Sequence, residues 1–97
     1  MFRQGDLLFI ECDEIPNDAQ EVQDGIIARG EATGHTHRVG DSNVAKLVAL
    51  NAMMYVRALQ EAEILHEEHN KVVLPPGNWK VHRQKEYEPN GWKQVQD

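Results

Sequence analysis

The sequence predicts a mostly β protein, a small antiparallel β-barrel or β-sandwich formed by a single domain. Apolar residues alternate with polar ones in several short segments, Gly, Pro and Asn separate these segments, and the segments are too short for long helices. The 97 residues fit one domain, because domains usually contain about 50 to 250 residues. We expect residues 1–97 to form this domain, with the C-terminal tail fraying from about residue 89.

The N-terminal half contains three predicted strands. Leu7–Cys12 is apolar on both faces, as in a central strand, and it ends at a turn-prone segment around Pro16. Residues 25–29 form a second short strand. Residues 44–50 fit a turn of helix nearly as well as a buried strand, because apolar residues fall at 44, 47, 48 and 50. We predict a strand there and keep the helix as the alternative.

The C-terminal half alternates strands with turns. The turns are predicted at Asn51-Ala52, at Gln60-Glu61 and in the Pro75-Pro76-Gly77-Asn78 segment. The predicted strands between and after these turns cover residues 53–59, 63–67, 71–74 and 79–85. Six or so short strands at this spacing are typical of a small barrel or sandwich.

Composition narrows the functional classes. Sixteen acidic residues against ten basic ones give a formal charge of −6, which argues against nonspecific nucleic-acid binding, since that depends on Lys and Arg. The longest apolar stretches are far below the roughly 20 residues of a membrane span, and the first residues lack a secretory apolar region. We expect a cytoplasmic protein without membrane contact. A chain this short has a modest core, so a homodimer would help its stability.

Four of the five histidines fall into two pairs, His35 with His37 and His66 with His69. Residues two apart on a strand project from the same face, so His35 and His37 can present two imidazoles to one point. His66 and His69 follow a predicted strand and can supply further ligands from a neighbouring strand. Because Cys12 is the only cysteine, histidine and carboxylate must hold any metal ion. We predict a metal site formed by the four histidines.

The predicted ligands suit a divalent transition metal. Imidazole and carboxylate bind Zn, Fe, Ni, Cu or Mn, with Zn the default when the geometry is unknown. Glu67 is our candidate catalytic residue, as a general base, a ligand or an orienting group. The simplest reaction for such a site is metal-assisted hydrolysis of an ester or phosphoester in an unidentified small molecule. His66 and His69 are one residue too close for the His-Glu-x-x-His pattern, which argues against that class of metalloprotease.

Three alternatives use the same residues differently. Without a metal, the histidines can act as acid and base groups, with Arg38, Arg83 and Lys85 holding an anionic ligand. The protein can also be a non-catalytic binding or accessory protein in which the histidines are structural or sense metal. The simplest alternative is surface histidines on turns beside a solvated acidic edge.

Two resemblances bear on the site. Gly30, His35 and His37 resemble the first motif of the cupins, and Pro75 and Gly77 resemble the turn of the second. That resemblance implies a small β-barrel that binds a metal through the two motifs. Asp41 stands in for the glutamate of the first motif, and His82 comes later than the last histidine of the second.

The chain also resembles short uncharacterised bacterial and phage proteins. The resemblance rests on a Gly-Glu-x-Thr-Gly-His-x-His-Arg segment, a His-x-Glu-His segment, a Leu-Pro-Pro-Gly turn and a Gln-(Arg/Lys)-Glu-Tyr strand. These correspond to residues 30–38, 66–69, 74–77 and 84–87. The resemblance implies a shared site and names no reaction.

Overall fold

The computed structural model describes residues 1–30, 33–88 and 91–94, with the backbone only for residues 85–88 and 91–94. All the regular elements in these ranges are strands, which confirms the mostly β prediction. The twelve strands are β1 (Phe2–Gln4), β2 (Leu7–Cys12), β3 (Gln20–Glu21), β4 (Ile26–Arg29), β5 (Thr36–Val39), β6 (Ala45–Leu50), β7 (Met53–Ala58), β8 (Ala62–Leu65), β9 (Val72–Leu74), β10 (Gly77–Arg83), β11 (Lys85–Glu88) and β12 (Gly91–Gln94).

The strands form two main sheets and a hairpin, and all their pairings are antiparallel. The larger sheet has the order β1-β2-β10-β7-β6-β3, the smaller one has the order β4-β5-β8-β9, and β11 pairs with β12. In the described residues each main sheet is open, with two edge strands. An open two-sheet arrangement fits the sandwich alternative and not a closed barrel. The cupin-like form remains a resemblance only.

One hydrophobic core joins the two sheets. Phe9 and Val56 from the larger sheet and Ile64 and Leu74 from the smaller one are all fully buried in the same cluster. Trp79 on β10 is buried in the same cluster, and its indole Nε1 donates a hydrogen bond to the Pro75 carbonyl at 3.0 Å. The shared core holds the faces of the two sheets together and so fixes which side chains meet between them.

A second, smaller cluster includes Ile15, Val48 and Tyr55. Cys12 packs against it, and burial raises the pKa of the Cys12 thiol. Cys12 is therefore a partly buried packing residue whose raised pKa disfavours the thiolate.

Several predicted strands match the observed ones. β2 has the predicted bounds, and residues 45–50 form β6, so the strand prediction for 44–50 is confirmed over the helix. β6 pairs with β7 through a tight turn in which Asn51 has a φ of 56°, a left-handed conformation that Asn tolerates. The turn at Pro75 ends two residues earlier than predicted, because Gly77, with a φ of 142°, already starts β10.

The very short strands β1 and β3 were not predicted, since two or three residues carry no readable alternation. Residues 91–94 pair with β11 in the region where we predicted a fraying tail. Residues 31–32, 89–90 and 95–97 lie outside the described residues, and with them part of that prediction and of the first histidine motif. The described residues contain no helix of the length and apolarity that a membrane span needs.

Candidate functional site

The pairing of β5 with β8 brings the two histidine pairs together. Arg38 faces Leu65 and Val39 faces Ile64 across this antiparallel pair. His37 lies within β5 and His35 just before it, whereas His66 follows β8 directly and His69 lies in the connection to β9. We call these four side chains the histidine group. The histidine group therefore lies at one end of the smaller sheet, where β5 pairs with β8.

His66 is the centre of the histidine group. Its ring centroid lies 4.4 Å from that of His37, 4.5 Å from that of His69 and 5.4 Å from that of His35, and the His37 and His69 centroids are 6.1 Å apart. Two imidazoles bound to one tetrahedral metal ion have centroids about 5 Å apart, given metal–nitrogen bonds near 2.0–2.1 Å. The observed spacings bracket that value. His37 is fully buried and His66 nearly so.

Gln4 sets the tautomer of the neutral His37 ring. The Gln4 amide nitrogen donates to the carbonyls of Ile64 at 2.8 Å and Asn70 at 3.0 Å, so its Oε1 faces the His37 ring. His37 Nδ1 lies 2.9 Å from this oxygen and must donate to it. In the neutral ring the lone pair is therefore on Nε2, the nitrogen that points towards Asp6.

Asp6 faces His37 from the turn between β1 and β2. Its side chain is fully buried, and Oδ1 lies 3.3 Å from His37 Nε2. Arg83 Nε donates to the other oxygen, Oδ2, at 2.7 Å, and Arg83 Nη2 donates to the Arg29 carbonyl at 2.7 Å. The sequence analysis missed Gln4 and Asp6. Both sit beside Gly5, just before the predicted first strand, and only the tertiary fold buries them.

The other imidazole nitrogens differ in their partners. His66 Nδ1 accepts hydrogen bonds from the backbone N–H groups of Glu68 at 3.1 Å and His69 at 3.2 Å, so the neutral ring carries its proton on Nε2. His69 Nε2 and His35 Nδ1 are buried and have no hydrogen-bond partner in the part of the chain that the structure describes. His35 Nε2 lies 3.8 Å from the Glu68 carboxylate.

The Glu67 carboxylate is held by β5. It accepts hydrogen bonds from the Thr36 backbone N–H at 3.0 Å, the Thr36 hydroxyl at 3.3 Å and Arg38 Nη1 at 3.2 Å. The backbone hydrogen bond from Thr36 is the main cause that lowers the pKa of Glu67, and the charge of Arg38 adds to it. An ionised carboxylate with these donors ties the loop after β8 to β5.

The described side chains do not form a ready three-ligand centre. Within residues 1–30 and 33–84, no group of three or more His, Cys, Asp or Glu side chains is already arranged to hold a metal ion. What is present is one donor pair at close range, His37 Nε2 with Asp6 Oδ1, beside two further rings. His82, the fifth histidine, is exposed on β10 and lies outside the group.

Comparison with known proteins identifies a family whose function is unknown. A protein-family model described as a domain of unknown function (DUF8820) matches residues 3–84. No curated protein and no solved structure matches the chain. The matched range includes the whole histidine group together with Gln4, Asp6 and Arg83.

Proposed function

We propose that this chain, which belongs to the DUF8820 family of domains of unknown function, binds a divalent transition-metal ion through its histidine group. The proposal rests on the four imidazole rings that gather at centroid distances of 4.4 to 6.1 Å around His66. Imidazole nitrogen is the ligand that Zn, Ni, Cu and Fe share, and Zn is the default.

His37 and His69 are the ligands that the local hydrogen bonds favour. Gln4 leaves the lone pair of His37 on Nε2, as a metal ligand requires. His69 Nε2 is buried and has no hydrogen-bond partner among the described residues, so no hydrogen bond competes with a metal ion for it. His35 can add a third ligand through Nδ1, which is also buried and has no hydrogen-bond partner among the described residues. These side chains must rotate to complete the site, because no three of the described groups are already arranged around one ion.

We assign His66 a positioning role. Its Nδ1 accepts two backbone N–H groups, so a metal ion on Nε2 would require the fully deprotonated imidazolate ring. His66 instead packs against the rings of both His37 and His69, whose centroids lie 6.1 Å apart, and so holds them on the same side of the group.

Metal binding is better supported than hydrolysis or anion binding. Both oxygens of Glu67 accept hydrogen bonds from Thr36 or Arg38, which makes Glu67 unsuited to act as a general base. The two arginines considered for an anion are also engaged, Arg38 with Glu67 and Arg83 with Asp6. We therefore propose a binding protein and assign it no reaction.

Metal titration of the untagged full chain tests the proposal. We expect about one Zn²⁺ or Co²⁺ per chain in competition titrations, and binding at least about tenfold weaker in His69→Ala. His82→Ala is the matched control, because it removes an exposed histidine outside the group, and it should bind like the wild type. Circular dichroism should show that both variants are folded. Wild-type protein without stoichiometric metal binding, or a folded His69→Ala variant with wild-type affinity, would contradict the proposal.

A further inference from the structure

We infer that Asp6 supplies a ligand to the same metal ion through Oδ1, so that the ion bridges the two sheets. This inference rests on the proposed function. It adds a carboxylate that no motif of the sequence marks and that lies 31 positions before His37. The observations behind it are the position of Asp6, the direction of its two carboxylate oxygens and the tautomer of the neutral His37 ring.

Asp6 is a buried carboxylate, and burial demands compensation of its charge. Transfer of an isolated carboxylate into a protein interior costs several kcal/mol unless it is paired or bound to a cation. Arg83 compensates one side, since its Nε donates to Oδ2 at 2.7 Å. The other oxygen, Oδ1, faces His37 Nε2 at 3.3 Å. The carboxylate is thus oriented with one oxygen fixed and the other directed at the histidine group.

A cation belongs between Asp6 Oδ1 and His37 Nε2. Because His37 Nδ1 donates to Gln4, the neutral ring directs the Nε2 lone pair at an anionic oxygen 3.3 Å away. Two lone pairs at this distance repel each other unless a proton or a metal ion is shared between them. With a proton, the contact is an imidazolium–carboxylate ion pair. With a metal ion, the two atoms are neighbouring ligands of that ion.

The distance fits the metal alternative. Zinc binds His nitrogen at about 2.0–2.1 Å and carboxylate oxygen at about 2.0–2.2 Å, so two ligands on a tetrahedral ion lie about 3.3 to 3.5 Å apart. The observed 3.3 Å matches this separation. Arg83 and Gln4 then act as the outer hydrogen-bond partners that hold ligating Asp and His side chains in place. His69 and His35, in the loops next to β8 and β5, are the candidates for the remaining ligands.

The consequence is a metal ion held between sheets. Asp6 belongs to the β1–β2 turn of the larger sheet, and His37 belongs to β5 of the smaller one. A shared ion would add to the hydrophobic core and to the hydrogen bonds of Gln4 and Arg83 that already join the two sheets. Metal binding should therefore stabilise the packing of the sheets as well as the local loop.

Asp6→Asn, which keeps the shape and removes the charge, tests the inference. We expect Co²⁺ binding at least about tenfold weaker than in the wild type, with altered visible absorption bands that report the lost oxygen ligand. Asp13→Asn, at an exposed turn, is the matched control and should leave the affinity and the spectrum unchanged. Circular dichroism checks the fold of both variants.

A second measurement needs no substitution. In wild-type protein labelled with ¹³C, stepwise addition of Zn²⁺ should shift the Asp6 carboxyl resonance until about one equivalent and leave that of Asp13 in place. An unmoved Asp6 resonance would rule out Asp6 as a ligand even if Asp6→Asn does not fold.

The outcomes separate the inference from the proposed function. Metal binding by the wild type with an unmoved Asp6 carboxyl resonance, or with a folded Asp6→Asn variant that binds Co²⁺ as tightly as the wild type, overturns the inference. The contact with His37 is then an ion pair and the histidine group alone binds the metal. A wild-type protein that binds no metal overturns both.

Discussion

His37 is the residue whose surroundings define the site. It is fully buried on β5, with Gln4 on one ring nitrogen and Asp6 on the other. A fully buried imidazole is stable only when its polar atoms are satisfied, so its partners matter as much as the ring. Both partners come from the N-terminal hairpin, more than 30 positions away in the chain.

Gln4→Leu should destabilise the protein even without metal. The substitution removes the amide that pairs with His37 Nδ1 and with the carbonyls of Ile64 and Asn70, and it leaves buried polar groups unsatisfied. Each such group costs about 1 to 3 kcal/mol. We expect a loss of at least about 1 kcal/mol in the free energy of unfolding, measured by urea denaturation of the chelator-treated protein.

Gln20→Leu is the control for Gln4→Leu, because Gln20 is an exposed glutamine on the short edge strand β3. Its free energy of unfolding should stay within about 0.5 kcal/mol of the wild-type value. Equal stability of the two variants would show that the Gln4 hydrogen bonds do not hold His37.

At the scale of elements, the pairing of β5 with β8 positions the histidines, and Glu67 reinforces it. The ladder itself is short, with Arg38 opposite Leu65 and Val39 opposite Ile64. Beyond the end of the ladder, the Glu67 carboxylate accepts hydrogen bonds from the Thr36 N–H and the Arg38 guanidinium. These contacts continue the connection between the strands where backbone pairing stops, next to His66.

Glu67→Gln should lower stability near neutral pH and not in acid. The native pKa of Glu67 lies below its ordinary value of 4.5, so the ionised carboxylate stabilises the fold above that pH. This contribution is lost as the pH falls through the lower native pKa. The difference in unfolding free energy between wild type and variant should therefore be constant above about pH 5.5 and shrink towards zero as the pH falls further.

The measurement for Glu67→Gln is urea unfolding at several pH values between 7 and 3. Glu61→Gln is the matched control, since Glu61 is an exposed glutamate just before β8. If the Glu67→Gln difference stayed constant down to the most acidic point, the hydrogen bonds from Thr36 and Arg38 would not depend on the charge of Glu67.

At the scale of the whole molecule, the core between the sheets determines where the site lies. The buried cluster combines residues of β2, β6, β7 and β10 with residues of β4, β8 and β9. This packing brings the β1–β2 turn of the larger sheet against β5 of the smaller one. The site is therefore a consequence of how the two sheets face each other.

Ile64→Ala tests this shared core. Ile64 is fully buried on β8, and truncation of a buried Ile to Ala costs about 2 to 5 kcal/mol through lost burial and the cavity left behind. Val73→Ala on the neighbouring strand β9 is the control, because Val73 is 39% exposed, and it should cost less than about 1 kcal/mol. Equal losses in chemical denaturation would show that Ile64 does not pack in a tight core.

Alternation of apolar residues determined most of the fold class. Short apolar runs between turn residues predict the β2 and β6 segments, although the β6 run fits a helix nearly as well. Asn51 and Gly77 mark the ends of strands through backbone conformations that few other residues adopt. The same local information identifies His35 with His37 and His66 with His69, because each pair is close in sequence. It also limits the proposed metal ligands to histidine and carboxylate, since Cys12 is the only cysteine.

Only the tertiary structure decided which residues surround the histidines. Whether Asp6 is a solvated turn residue or a buried carboxylate beside His37 depends on the packing of two sheets, and no local pattern encodes that contact. The role of Glu67 was decided in the same way, because Thr36 and Arg38 reach it across strands. Sequence periodicity reports which face of a strand is buried, whereas the partners of a buried polar group are set by long-range packing.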